Sequence, residues 1–142
     1  MAITQAVANS FKTEVLTGTH NFTATTGNSF KISLYTNSAT LSKSTTAYTS
    51  SNEVSGTGYT ATGNTLTSVT PVLSSDTAVC DFADTSWTSA TITARGALIY
   101  NDTQSDKAVV VLDFGGDKTS TAGTFTIQFP AADASNAILR LA

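Results

Sequence analysis

Two hydrophobic periods divide the chain. Ile3, Val7, Phe11 and Val15 recur every four residues, and Leu16 widens the stripe. That is the spacing of one helix face. Lys12 and Glu14 fall off it, and Gly18 stands where a helix would exit in a left-handed conformation. The pattern predicts a helix within residues 3–17. Ser10 is a weak helix former, so Asn9 is an alternative start.

After Gly18 the period becomes two. Phe30, Ile32 and Leu34 alternate with Lys31, Ser33 and Tyr35, as in a half-buried strand. Phe22 marks a short strand before it, and residues 25–28 turn between the two. Residues 36–58 hold few large aliphatics and many Ser, Thr and Asn, and read as a long surface loop. Strand signals then recur at short intervals. Residues 64–73 carry Leu66, Val69 and Val72, with Pro71 arguing for an edge. Residues 77–83, 87–94 and 97–100 follow. The run 108–112 is continuously apolar, so it should be buried on both faces. Segments 97–100 and 108–112 flank a polar stretch and predict a hairpin. Phe125, Ile127 and Phe129 alternate inward, and residues 137–141 form a last strand.

Composition explains the outer faces of these strands. The chain of 142 residues holds 28 Thr and 17 Ser, while charged residues are only 12%. An ordinary soluble domain has about 25%. Thr is β-branched and favours extended backbone, so it supplies strand propensity and polarity without charge. The fold class expected is all-β: a β-sandwich or barrel of about eight short strands with a short N-terminal α-helix. One domain spans 1–142, with 1–18 as a helical arm.

The same figures exclude function classes. Net charge is −3 with seven Lys and Arg and no basic run, which argues against nucleic acid. No stretch approaches 18 apolar residues, so no membrane span is expected, and no signal peptide is visible at the start. A lone cysteine, Cys80, excludes an internal disulfide and reads as a structural thiol.

No catalytic, cofactor or metal constellation emerges. His20 is the one histidine and reads as a turn residue after the helix; no serine occupies a Gly-x-Ser-x-Gly elbow. Asp113 and Asp117 flank Gly115-Gly116, which reads as a turn rather than a calcium loop, since it offers only two carboxylates. Lys118 follows Asp117, so the phosphate-loop pattern is not met. Asn21 and Asn101 begin glycosylation sequons that read as unused. Trp87, Tyr35, Tyr48, Tyr59 and Tyr100 could line a sugar platform, but spread at one per strand they read as core and interface anchors. Arg95, within small neutral residues, is expected to form a structural ion pair with Asp81, Asp84 or Asp113. If that pair is buried, losing one partner costs about 3–5 kcal/mol.

The string Ser10-Phe11-Lys12-x-Glu14-x-Leu16-x-Gly18-x-His20-x-Phe22 leads to Phe30-Lys31-Ile32-x-Leu34-Tyr35. Asn52-Glu53-Val54-Ser55-Gly56-Thr57-Gly58-Tyr59 comes next. Trp87-Thr88-x-Ala90-Thr91-Ile92-Thr93-Ala94-Arg95-Gly96-Ala97-x-Ile99-Tyr100-Asn101 and Leu112-Asp113-Phe114-Gly115 complete the set. Over nearly the whole chain this resembles a family of small virion structural proteins of tailed bacteriophages. The resemblance implies a non-enzymatic virion protein assembled in host cytoplasm. It would be a capsid decoration (cement) protein binding the major capsid protein, and a homo-oligomer. A tail, neck or fibre component is the alternative, and a carbohydrate-binding module a third. Ile3, Val7, Phe11, Tyr48 and Tyr59 are the expected interface residues.

Overall fold

The structure is a computed structural model and describes residues 2–142. Two antiparallel sheets carry the chain. The larger has the order β1-β7-β6-β2-β3, from β1 (Ala6–Val7), β2 (Phe30–Tyr35), β3 (Asn64–Thr65), β6 (Thr85–Asn101) and β7 (Lys107–Ile127). The smaller has the order β4-β5-β8, from β4 (Ser68–Ser74), β5 (Thr77–Phe82) and β8 (Leu139–Leu141). One helix, α1 (Asn9–Leu16), packs beside them. The all-β, sandwich-like expectation holds.

The centre of the large sheet is β2, β6 and β7. Ala97, Leu98 and Ile99 of β6 pair with Leu112, Val111 and Val110 of β7. Residues 108–111 are all buried, as a continuous apolar run requires. The predicted hairpin forms, with Asn101 opposite Lys107 across a polar turn. The sheets meet at aromatic rings. Phe22 stacks on Phe30 at 4.3 Å between centroids, and Phe82 reaches Phe30 at 5.9 Å and Phe129 at 5.6 Å.

Several local expectations are corrected. The helix begins at Asn9, and Ile3 and Val7 are not on it. Ile3 bridges Leu41, and Ala6 and Val7 pair with Val111 and Val110. Ala8, at ψ 136°, ends this extended stretch. A spacing of four is a multiple of two, so the same stripe suits a strand followed by a helix. Phe22 is buried but lies in irregular chain rather than in a strand.

The segments 87–94 and 97–100 form one strand, and 108–112 and 124–127 another. Bulges let each bend instead of stopping, with register shifts at Trp87/Ala90 and Ala94/Gly96 among others. Gly115-Gly116 is therefore inside β7 and not a turn between strands. Gly115 has φ +78°, and its N–H donates to Asp113 Oδ1 at 2.9 Å.

Residues 36–58 contain no helix or strand, yet they are not a free arm. Ala39, Leu41 and Val54 are buried, Ala47 bridges Lys107, and Tyr48 N–H donates to Asp106 O. Few side chains here are large, but the backbone finds its partners on the sheet.

Candidate functional site

The expected interface residues separate on folding. Ile3 and Phe11 are buried in the chain's own core. Ile3 is therefore not a surface anchor, which corrects that expectation, whereas Phe11 lines a cleft described below. Val7 is partly buried in the same cleft.

Tyr48 and Tyr59, also partly buried, both turn to Glu53. Their hydroxyls donate to Glu53 Oε2 and Oε1 at 2.6 Å each, and Thr62 N–H donates to Oε1 at 2.8 Å. Glu53 thus ties the 36–58 segment to the sheet. Nothing in its sequence neighbourhood marked it, because its partners arrive from three separate turns of chain. Tyr35 and Tyr100 are buried and donate to Thr49 O and Thr62 O, while Trp87 is buried between Tyr59 and Phe125. These rings are core, not an exposed platform.

All four phenols are held un-ionised beyond their ordinary range. Burial pushes Tyr35 up to about 12. Burial, then the hydrogen bond to Glu53, raises Tyr48 and Tyr59; burial, then the charge of Asp106, raises Tyr100. A raised phenol binds its proton more tightly in the folded state. Its stabilisation is complete below the ordinary value of 10.0 and is lost as pH rises through the folded value. Tyrosinate absorbance should therefore stay low past pH 10 and then rise together with unfolding. Four independent midpoints near the ordinary value would refute this packing.

Arg95 pairs with Asp113, one of the three expected partners, with Nε 3.5 Å from Oδ1. The side chains are 38% and 29% exposed, so the pair is not buried and the larger cost does not apply. The contact is one of charge rather than a hydrogen bond, since Nε has no hydrogen-bond partner. Arg95→Ala should shift stability by less than about 1 kcal/mol in a urea melt; a loss of several kcal/mol would show a tighter network.

His20 is not a turn residue at the surface. Its side chain is fully buried, with Nε2 3.0 Å from Glu14 Oε1 and Nδ1 3.0 Å from Asn101 Nδ2. The Asn101 carboxamide is fixed by Gln104 N–H on its oxygen and by Asn28 Oδ1 on its nitrogen. Nδ1 of His20 therefore accepts and Nε2–H donates to Glu14. Lys107 Nζ lies 3.7 Å from the other oxygen of Glu14. Both ring nitrogens are occupied by structural partners. Asn101 is wholly buried, so the sequon it begins is closed in the folded chain. Among the described residues no three His, Cys, Asp or Glu side chains converge.

What stands out is an apolar cleft of about 840 Å³ between α1 and the small sheet. Phe11, Val15 and Leu16 of α1 form one wall; Ala78, Cys80, Leu139 and Leu141 form the other. Cys80 sits in the cleft with its thiol pushed up to about 11 by burial, as suits an inert packing residue. The large hydrophobics that are exposed among the described residues are Leu16, Val69, Val72, Leu73 and Leu141. Leu16 and Leu141 line the cleft, and the other three lie on β4, whose Thr70 and Pro71 line it. Leu16 and Leu141 thus put exposed apolar surface on the cleft itself, and an exposed apolar patch is a usual mark of a contact surface. In the sequence Leu16 belongs to the helical stripe and Leu141 to the last strand, and nothing there shows that the two meet. Comparison with known proteins adds no relative: no family model matches the chain, and no curated protein and no solved structure matches it.

Proposed function

We propose that the chain is a structural component of a tailed-phage virion that acts by docking on other proteins, and specifically a capsid decoration protein on the outside of the head. The observation that carries the docking reading is the apolar cleft beside α1, with the exposed Leu16 and Leu141 on its lining. The sequence resemblance to small virion proteins supplies the particle. In this reading the cleft face, which includes Phe11 but not Ile3, meets the major capsid protein. A protein that binds only the assembled shell stabilises it by mass action. Few charges on the outer strands let neighbouring copies crowd with little repulsion.

Quantitative mass spectrometry of purified particles tests this. Hundreds of copies support decoration, and six or twelve move the chain to the neck or tail. No copies remove it from the virion altogether. Heads assembled without the chain should also lose resistance to heat and low salt, and full resistance would sink the cement role.

A further inference from the structure

We infer that the cleft binds a single-chain aliphatic amphiphile, with its hydrocarbon tail between α1 and the inner face of the small sheet and a carboxylate head at the mouth beside Lys12. This goes beyond the docking reading above. The tail takes up the depth of the cleft, and the exposed Leu16 and Leu141 remain for a protein partner.

The sheet wall comes first. Ala78 pairs with Leu73 and Leu141, and Cys80 pairs with Leu139, so these side chains share one face of the small sheet. Phe82, two residues beyond Cys80 on β5, lies on the same face and packs on Phe30 of β2. That face is therefore the interior of the sandwich. Along it the side chains of β5 shrink from Phe82 to Cys80 to Ala78. Phe82 spans the gap between the layers, whereas the two smaller residues fall short of it. Protein interiors close to near-crystal density, but here about 840 Å³ stays open. That is within the roughly 300–1,000 Å³ that takes one small ligand.

The lining then sets the chemistry. Phe11 and Val15 of α1 form the opposite wall. Among the polar residues of the lining only His20 is buried, and both its ring nitrogens are engaged, by Glu14 and Asn101. A polar group carried into the depth would find no partner, and its lost hydration would go uncompensated. Hydrocarbon suffers no such loss, so the head group stays at the rim. Two cations stand there. Arg140 is already held: its Nη1 donates to the carbonyls of Ala134 and Ser135, and its charge acts on Asp133. Lys12 is exposed and donates to Asn9 Oδ1 at 3.3 Å, with no carboxylate within ion-pair distance among the described residues. Glu14, the acid of the same helix, is turned toward His20 and Lys107. An anionic head beside Lys12 gains a pair that the chain itself does not supply.

Calorimetric titration of the full chain with octanoate, decanoate and dodecanoate, each below its micelle-forming concentration, tests this. Affinity should climb roughly tenfold for every two methylenes added. Dodecyltrimethylammonium should bind about threefold more weakly than dodecanoate, the scale of one exposed ion pair, and Lys12→Glu should reverse that order. Circular dichroism checks the fold of the variant. The site itself is read at Cys80, the single cysteine of the chain. Its alkylation by N-ethylmaleimide in mildly alkaline buffer should slow severalfold under saturating dodecanoate. Ala78→Phe, whose ring would take up the cleft, should abolish binding; should that variant not fold, protection of Cys80 in the unaltered chain still decides. No binding, affinity indifferent to chain length, unslowed alkylation of Cys80 or an unreversed head-group order overturns the proposal. Capture by phosphatidylglycerol vesicles with no binding of free dodecanoate would assign the cleft to a membrane surface and overturn it as well. The copy number in particles is independent of these results, so the two readings fail separately.

Discussion

Gly63→Ala should leave little or no folded protein. Gly63 has φ +80°, and a Cβ there would sit 1.8 Å from the carbonyl oxygen of Ile32 and 2.6 Å from its carbon. These are backbone atoms of a central strand, so no side chain can swing aside. The chain around Gly63 is also pinned. Thr62 N–H donates to Glu53, Tyr100 hydroxyl donates to Thr62 O, and Asn64 pairs with Ile32. Relieving the clash means pulling β3 from β2 and breaking these contacts. The left-handed conformation alone costs a non-glycine residue about 1–2 kcal/mol. With the clash, the loss should exceed about 4 kcal/mol, a large part of a domain's usual 5–15 kcal/mol. Gly115→Ala is the control. Its φ is +78°, but a Cβ there meets nothing within 4 Å, so only the conformational cost applies. Soluble yield and urea midpoints of the two variants decide the matter. If Gly63→Ala is no worse than Gly115→Ala, the close approach of residue 63 to β2 is wrong.

His20→Ala should have the second largest effect. The ring fills a space bounded by Phe11 at 4.8 Å, Phe30 at 6.3 Å and Phe22 at 6.4 Å between centroids. Removing it opens a cavity and strands two polar groups. Asn101, wholly buried, loses the acceptor for one of its N–H bonds, and Glu14 loses its donor. The cavity and the orphaned groups together should cost about 3–4 kcal/mol. The damage should be local in character. Glu14 lies on α1, so amide exchange in α1 should quicken more than in β6 and β7. A loss below about 1 kcal/mol, or uniform exchange across the chain, would show that the ring does not anchor the helix.

The central sheet was legible because its burial is written in local sequence. A run such as Val109-Val110-Val111 has no solvated face in any extended conformation, and Phe30-x-Ile32-x-Leu34 states its period directly. Strand lengths were not legible. Gly115-Gly116 and Arg95-Gly96 look like stops, but a bulge absorbs a glycine without ending the ladder, and only the partner strand decides which occurs. The N-terminal stripe was ambiguous because a period of four fits both a helix and a strand. The site was the least legible part. Its walls come from residues 7–23, 70–80 and 139–141, and each piece alone resembles ordinary core or edge. His20 read as a turn residue because its partner Asn101 lies far away in the chain, and Glu53 drew no role because local sequence does not show Tyr48, Tyr59 and Thr62 folding back on it.

The long β6–β7 pairing has a kinetic consequence. Its two strands are joined by five residues, so the ladder can start at that turn and zip outward, with hairpin formation on a scale of about 1–10 μs. The cleft walls enjoy no such proximity. Ala6 must find Val111 across most of the chain and Leu141 must find Ala78 across a shorter but still long stretch, and each needs a strand already laid down. The cleft therefore closes last. In the proposed docking role, a partner at the cleft would meet only molecules that have finished folding, so docking would double as a checkpoint on the quality of each copy.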